Sequence, residues 1–382
     1  MKQLVDKYAA KIVEAGLAEP GAPLIGGLDA DLVWSRDDAA CGELEHVFNG
    51  LNINSLLLCR PAEPYRSIIE HLAARADGAV FPRDCETRTM MHDLPVIEAF
   101  TAEAIVGALK QRKSVIVPGH GVVTWGTVSP EQAFIFFSSV CFACFVKFFA
   151  DYRTARRVGA VVPEQERVFQ EAAALLDRFP EAPVLMSAPF ESEEAVYRAV
   201  SEAGRLTVKY HLVDSFFGNV SYRYGDTMYI SQTGSSLDEL EGCIDPCPLD
   251  GSSCAGITAS SEFTAHREIV LRSDVCAVLH GHPKFSVIMS MDCVRYDCPE
   301  RGRCHIACPE KRHVADIPIV PGEVGTGPYG LCNTLPPAMV GHRGVIVYGH
   351  GLFTVARDDF NEAFGNLLAV EAMCRDLYFD GL

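Results

Sequence analysis

The sequence predicts an α/β protein of two tandem domains, each built around a partly antiparallel sheet. Three observations lead there. The chain has 382 residues, long for one domain and comfortable for two. Two stretches, VIVPGHGVVTWGTVSPEQAF (115–134) and VIVYGHGLFTVARDDFNEAF (345–364), align without a gap and share V-I-V-x-G-H-G, a Thr and a closing Ala-Phe. Short strand-like and helical patterns alternate without a strict βαβ rhythm, as expected of a layered fold with antiparallel pairing.

The elements follow in order. The first 23 residues alternate charge with apolar residues at helical spacing. They lack the apolar core and small-residue cleavage site of a signal peptide, so a cytoplasmic protein is expected. The run FIFFSSVCFACFVKFF (134–149) is shorter than the roughly 18–20 residues that cross a bilayer and carries Lys147. It is expected as a buried helix. Its start is marked by Ser129, Pro130 and Gln132, an S-x-x-Q capping box with Pro at the first helical position. A charged helical stretch (151–179) leads to PEAPVLMSAPF, a linker that places the domains at 1–188 and 189–382. After it come an amphipathic helix (191–213), strands at GNVSYRY and TMYISQTG, a helix at SEFTAHREIVLRS and a strand at VCAVLHGH. A Cys-rich insertion (291–313) follows, and Asp358 or Asp359 opens a last helix that runs towards Tyr378.

Composition narrows the partners. A formal net charge of −17 argues against nucleic acid and anionic membranes. It leaves room for a small anion, which backbone amides and hydroxyls can hold locally. Fifteen Cys exceed packing needs in a compartment that disfavours disulfides, so metal binding or catalysis competes to explain any cluster.

The second half carries a candidate metal site. His280 and His282 form an H-x-H at a strand end, where residues two apart face the same side. His350, in its Gly-His-Gly turn, is a third ligand. Catalytic zinc sites take three protein ligands and keep one position open. Glu262, at a helix start leading into the H-x-H strand, is a candidate base; alone it would be no more than a carboxylate complementing a helix dipole. Upstream, Asn219 follows a glycine, Thr233-Gly234 form a turn, and Ser260-Ser261 precede Glu262. Hydroxyls, an amide and glycine N–H groups at a helix N-terminus make an anion pocket.

In this order (Gly218-Asn219-Val-Ser, Thr233-Gly234, Ser260-Ser261-Glu262 with His266, His280-x-His282, Gly349-His350-Gly351) the residues over about 195–375 resemble the class II aldolase/adducin family. The resemblance implies a three-layer α/β/α fold, with Zn or another divalent ion held by His280, His282 and His350. It implies Glu262 as acid/base and a substrate phosphate held by Asn219, Thr233, Gly234, Ser260 and Ser261. The implied activity is metal-dependent aldol cleavage of a phosphorylated ketose or related sugar phosphate by a homo-oligomer. Epimerisation, dehydration and decarboxylation on the same scaffold are alternatives, as is a non-catalytic adducin-like interaction module. The family's Ser-Gly at the second loop is Thr-Gly here. Tyr329 and Tyr378 are candidates for the second proton transfer.

The first half keeps the turn with His120, but Cys59-Arg60-Pro61 is expected where the H-x-H should be. It is expected to be a degenerate copy of the same domain with no metal site. The insertion holds Cys293, Cys298, Cys304 and Cys308 within sixteen residues, a possible second site for structural zinc or an iron–sulfur cluster, to which Cys243 and Cys247 could add. Free thiols on a loop are the competing reading.

Overall fold

A computed structural model describes residues 1–176, 179–214, 216–252, 257–322 and 326–382. The chain divides into two units, Met1–Asp177 and Arg178–Leu382. The Pro-rich passage is tied into the second: Leu185 N–H donates to Asn361, Met186 N–H to Glu202 and Ala188 N–H to Asp359.

The first unit runs α1 (Lys2–Glu14), β1 (Leu24–Leu28), β2 (Leu32–Trp34), α2 (Cys41–Gly50), β3 (Ser55–Cys59), α3 (Tyr65–Ala73), β4 (Ala79–Val80), α4 (Cys85–Met91), β5 (Leu94–Pro95), α5 (Ala102–Leu109), β6 (Ser114–Val117), β7 (Gly121–Gly126), α6 (Pro130–Arg157) and α7 (Pro163–Ala174). Its main sheet has the order β2-β1-β3-β7-β6, antiparallel throughout.

The second unit runs α8 (Glu193–Lys209), β8 (Asn219–Tyr224), β9 (Thr227–Ser231), β10 (Ile244–Pro248), α9 (Phe263–Leu271), β11 (Ala277–Gly281), α10 (Lys284–Met291), β12 (Arg312–Val314), β13 (Ile317–Val320), α11 (Leu331–Met339), β14 (Gly344–Val347), β15 (Gly351–Ala356) and α12 (Phe360–Asp380). Its sheet has the order β10-β9-β8-β11-β15-β14-β13-β12. Among its described strands, only β13 and β14 pair in parallel.

Within that longer sheet, β9-β8-β11-β15-β14 has the same order as the whole main sheet of the first unit. The likeness extends to single contacts. Thr354 on β15 donates its hydroxyl to the Ala363 carbonyl of α12, while its neighbour Phe353 enters the core shared with α9 and α11. Thr124 on β7 donates to the Ala133 carbonyl of α6, while Val123 enters the core shared with α2 and α5. Alternate strand residues face opposite sides of a sheet, so each unit has helices on both faces. The parallel bridge Val96↔Ile116 likewise matches the pairing Ile319↔Ile346.

The apolar run of α6 is a core helix. Phe134, Phe137, Phe142, Phe145, Phe148 and Phe149 are all buried. Its expected capping box is not formed, since Gln132 reaches one residue past the N-cap Ser129. Gln132 accepts from the Val128 N–H, while the Ser129 hydroxyl caps nothing. Asp359 caps α12, accepting from the Asn361 N–H.

Candidate functional site

Three strand ends and one helix start build the site. β8 opens with Asn219, β11 ends at Gly281 beside His280, β15 begins after His350, and Glu262 is the N-cap residue of α9. β11 lies between β8 and β15, with His280 opposite both Asn219 and Phe353. That register sets Asn219 and His280 side by side at one end of the sheet, the end at which the His350 turn enters β15.

Two glycines make the approach possible. Gly349 sits at φ 60°, a conformation open to glycine at little steric cost. At Gly351 a Cβ would collide with the Gly281 carbonyl and with the rings of His280 (2.6 Å) and His282 (2.9 Å). The second glycine of the turn is therefore a packing requirement of the histidine cluster.

His280, His282, His350 and Glu262 are all buried. The ligand nitrogens of the three histidines lie within 4.8 Å of one another. His280 Nε2 is 3.0 Å from His282 Nε2. The Glu262 carboxylate reaches towards two of the rings, with Oε2 3.4 Å from His280 Nε2 and Oε1 3.4 Å from His350 Nε2. Asn219 Nδ2 donates to Glu262 Oε2 at 2.6 Å and fixes the carboxylate.

The electrostatics suit a cation. Burial drives the pKa of His280 and His282 well below the ordinary imidazole value, and the neighbouring histidines push the same way. Both rings are neutral at pH 7. His280 Nδ1 faces the Leu352 carbonyl at 3.1 Å. A carbonyl only accepts, so Nδ1 carries the hydrogen and Nε2 presents its lone pair to the cluster. Phe353 stacks on His280 at 3.8 Å and Phe217 on His282 at 5.1 Å between centroids, which restricts both rings. Three imidazoles around one point, beside a buried carboxylate, fit the donor set of a divalent zinc-type ion.

The expected anion-binding residues come together at the loop beside α9. Thr233 N–H donates to the Thr258 carbonyl and its hydroxyl to the Ala259 carbonyl, while Ser260 N–H donates to the Ser231 carbonyl. Gly234 (φ 73°) and Ser261 are exposed, and Ser260 is buried with its hydroxyl accepting from the Glu262 N–H. Asp245 ties both loops, accepting from Gln232 at 2.7 Å and Thr258 at 2.5 Å. Asn219, expected among the phosphate ligands, donates from its amide to Glu262.

Other expectations fare differently. Among the described residues, the group whose ligand atoms converge within 4.8 Å is His280, His282 and His350, and the four cysteines of the expected second site are not gathered that tightly. Turns at Cys298–Arg301 and Arg303–Ile306 space the insertion so that the Cys304 sulfur faces the Glu300 carbonyl at 3.8 Å. The Cys308 thiol is pushed up by burial, with smaller contributions from Cys293 and Cys298. All four cysteines, and Cys243 and Cys247, are free thiols. Tyr378 is a fully buried aromatic against Phe285 and Phe379, and Tyr329 is exposed.

In the first unit the ladder register corrects the sequence reading. Val123 pairs with Leu58, and its repeat partner Phe353 pairs with His280. Leu58 and Arg60, not Cys59 and Pro61, therefore stand where His280 and His282 do. By the same register Leu24 stands at Asn219, and the N-cap residue Ala40 at Glu262. His120 is exposed and stacks on Phe100 at 4.5 Å.

Sequence reasoning missed Phe217, Phe353, Ser290 and Glu371. Glu371 had a legible signal, a lone carboxylate in the apolar run LLAVEAMC. It is buried and accepts from Phe285 N–H, Ser286 N–H and the Ser286 hydroxyl at 2.7–2.8 Å. Burial raises its pKa to about 7, against the pull of those donors.

Comparison with known proteins agrees with this half of the chain. Residues 198–378, just under half of the sequence, match the class II aldolase and adducin N-terminal domain. Among solved structures, the chain is similar to L-fuculose-1-phosphate aldolase from Thermus thermophilus, at 23% identity over 48% of this chain and 94% of that one (TM-score 0.39). It is similar to another L-fuculose 1-phosphate aldolase at 22% identity, over 51% and 88% (TM-score 0.39). It is also similar to a sugar-phosphate aldolase from Thermotoga maritima at 18% identity, over 48% and 94% (TM-score 0.36). No curated protein sequence matches.

Proposed function

Taking residues 198–378 as the class II aldolase and adducin domain they match, we propose that the second unit is a metal-dependent aldol lyase acting on a phosphorylated ketose or related sugar phosphate. The observation that carries the reading is Glu262. Its carboxylate is buried, held by Asn219, and faces two of three clustered histidines. A structural cap at a helix start has no use for that company.

His280, His282 and His350 would hold the divalent ion. When bound, it would supply Lewis-acid polarisation of a substrate carbonyl. The chain's own residues supply the rest. Glu262 moves a proton at a substrate hydroxyl beside the histidines, with Asn219 fixing which carboxylate oxygen stays engaged. The Gly234 N–H and the N–H and hydroxyl of Ser261 near the start of α9 receive the phosphate, on a loop that Thr233 braces through its bonds to the Thr258 and Ala259 carbonyls. Asp245 keeps the two phosphate loops in register. Phe217 and Phe353 wall two of the rings and limit water around them.

The first unit is then a second copy of the domain without the site. The matched strand order, the matched Thr124 and Thr354 contacts and the substitution of Leu24, Ala40, Leu58 and Arg60 at four site positions support this.

The test is a panel of phosphorylated ketoses given to chelator-treated protein before and after Zn²⁺, Co²⁺ or Mn²⁺ is restored. Aldehyde release only in the metal-restored samples is the expected result. Metal-loaded protein that releases no aldehyde from any member of the panel overturns the lyase reading.

A further inference from the structure

His282 lies one residue past the end of β11, so the sheet ladder does not fix it. It joins α10 through Pro283 alone. The start of α10 is gripped from a different helix: Glu371 of α12 accepts from both Phe285 and Ser286 N–H groups and from the Ser286 hydroxyl. At the other end of the same helix, Ser290 accepts from the Gly349 N–H at 2.9 Å, one residue before His350, and donates to the Val287 carbonyl. Ser286, Ser290 and Glu371 are all buried.

We propose that α10, clamped by Glu371 at its start and joined to the Gly-His-Gly turn by Ser290 at its end, is a strut that sets the separation of His282 and His350. Glu371 and Ser290 are thus positioning residues for the metal ligands. The inference rests on the metal reading above. The first unit supplies the contrast. The repeat places buried Cys141 at the position of Glu371. There α3 is capped locally, with Glu63 accepting from the Ser67 N–H and hydroxyl. A local cap suffices to start a helix. Burying a carboxylate deep in the unit is costly, and it is found where two ligands must be held in register.

The experiment titrates Co²⁺ into metal-free full-length protein and follows affinity and the visible absorption band, which reports coordination geometry. Ser290→Ala and Glu371→Gln are expected to weaken Co²⁺ binding by about 10–100-fold, the range seen when outer-shell partners of metal ligands are removed, and to alter the band. Ser290→Thr, which keeps the hydroxyl, is expected to restore both. Ser290→Ala carries the test by itself if Glu371→Gln does not fold. Variants that bind Co²⁺ within about twofold of the parent with the parent's spectrum overturn the strut, even if the thermal stability of the metal-free protein falls. His282→Ala is the separate control. If it binds Co²⁺ as the parent does, the metal reading fails first and the strut falls with it.

Discussion

The two Gly-His-Gly turns have the same backbone role and different chemical surroundings. Each follows the shorter strand of a hairpin, β6–β7 or β14–β15, and each closes with a glycine against the end of the neighbouring strand. Gly121 abuts Cys59 and Arg60, and Gly351 abuts Gly281, His280 and His282. His350 is buried among two histidines and a carboxylate, whereas His120 lies exposed on Phe100. The same turn sequence thus serves packing in both units and stands beside a histidine cluster in one. A shared motif identifies a shared fold; only the residues that converge on it identify a site.

The largest effect should come from the ligands themselves. His282→Ala in the second unit is expected to abolish turnover and lower metal content, whereas His120→Ala should leave both unchanged. Metal analysis and a turnover assay on the two variants check this, and equal losses would erase the distinction between the turns. Glu262→Gln should keep the bound metal and lose about 10²–10⁴-fold in kcat, the usual worth of a positioned acid/base. Loss of metal together with kcat would recast Glu262 as a ligand.

The comparison can also be sharpened by building the missing site. Leu58→His with Arg60→His restores the H-x-H beside His120. Equilibrium dialysis with Co²⁺ should show about one extra ion per chain, as a three-histidine set allows. An unchanged stoichiometry would mean that the first unit differs in more than its side chains.

The smallest effect concerns pH. His266 is buried, hydrogen-bonded through Nδ1 to Ser221, and burial lowers its pKa to about 3. Its folded-state pKa lies below the unfolded one. Its neutral form therefore stabilises the fold above about pH 6.5, and that contribution is lost as pH falls towards about 3, by up to about 1.4 kcal/mol per pH unit. Leu44 stands at the corresponding place in the first unit. His266→Gln should flatten the acid limb of a denaturation series by about that slope. An unchanged limb would assign the acid sensitivity elsewhere.

Much of this was legible in the sequence, and the reasons for the failures are physical. The repeat announced two units, and the H-x-H, Glu262 and Gly-His-Gly announced the cluster, because glycine turns and strand alternation restrict where side chains point. The register of β3 was misjudged by one residue: SLLLC is apolar beyond its first residue, so pairing alone distinguishes Leu58 from Cys59. The partners of Asn219 and Glu371 were invisible because both bonds span more than forty positions. The cysteine insertion is the part whose arrangement the sequence leaves open. Four thiols close in sequence need a loop that bends them together, and its turns hold Cys304 against a carbonyl.

The most direct test is anomalous diffraction from crystals of the full chain grown with Co²⁺. One strong peak within bonding distance of His280, His282 and His350, with none beside His120, is the expected result. A peak at His120 and Arg60, or at the four cysteines with none at the histidine cluster, would contradict it.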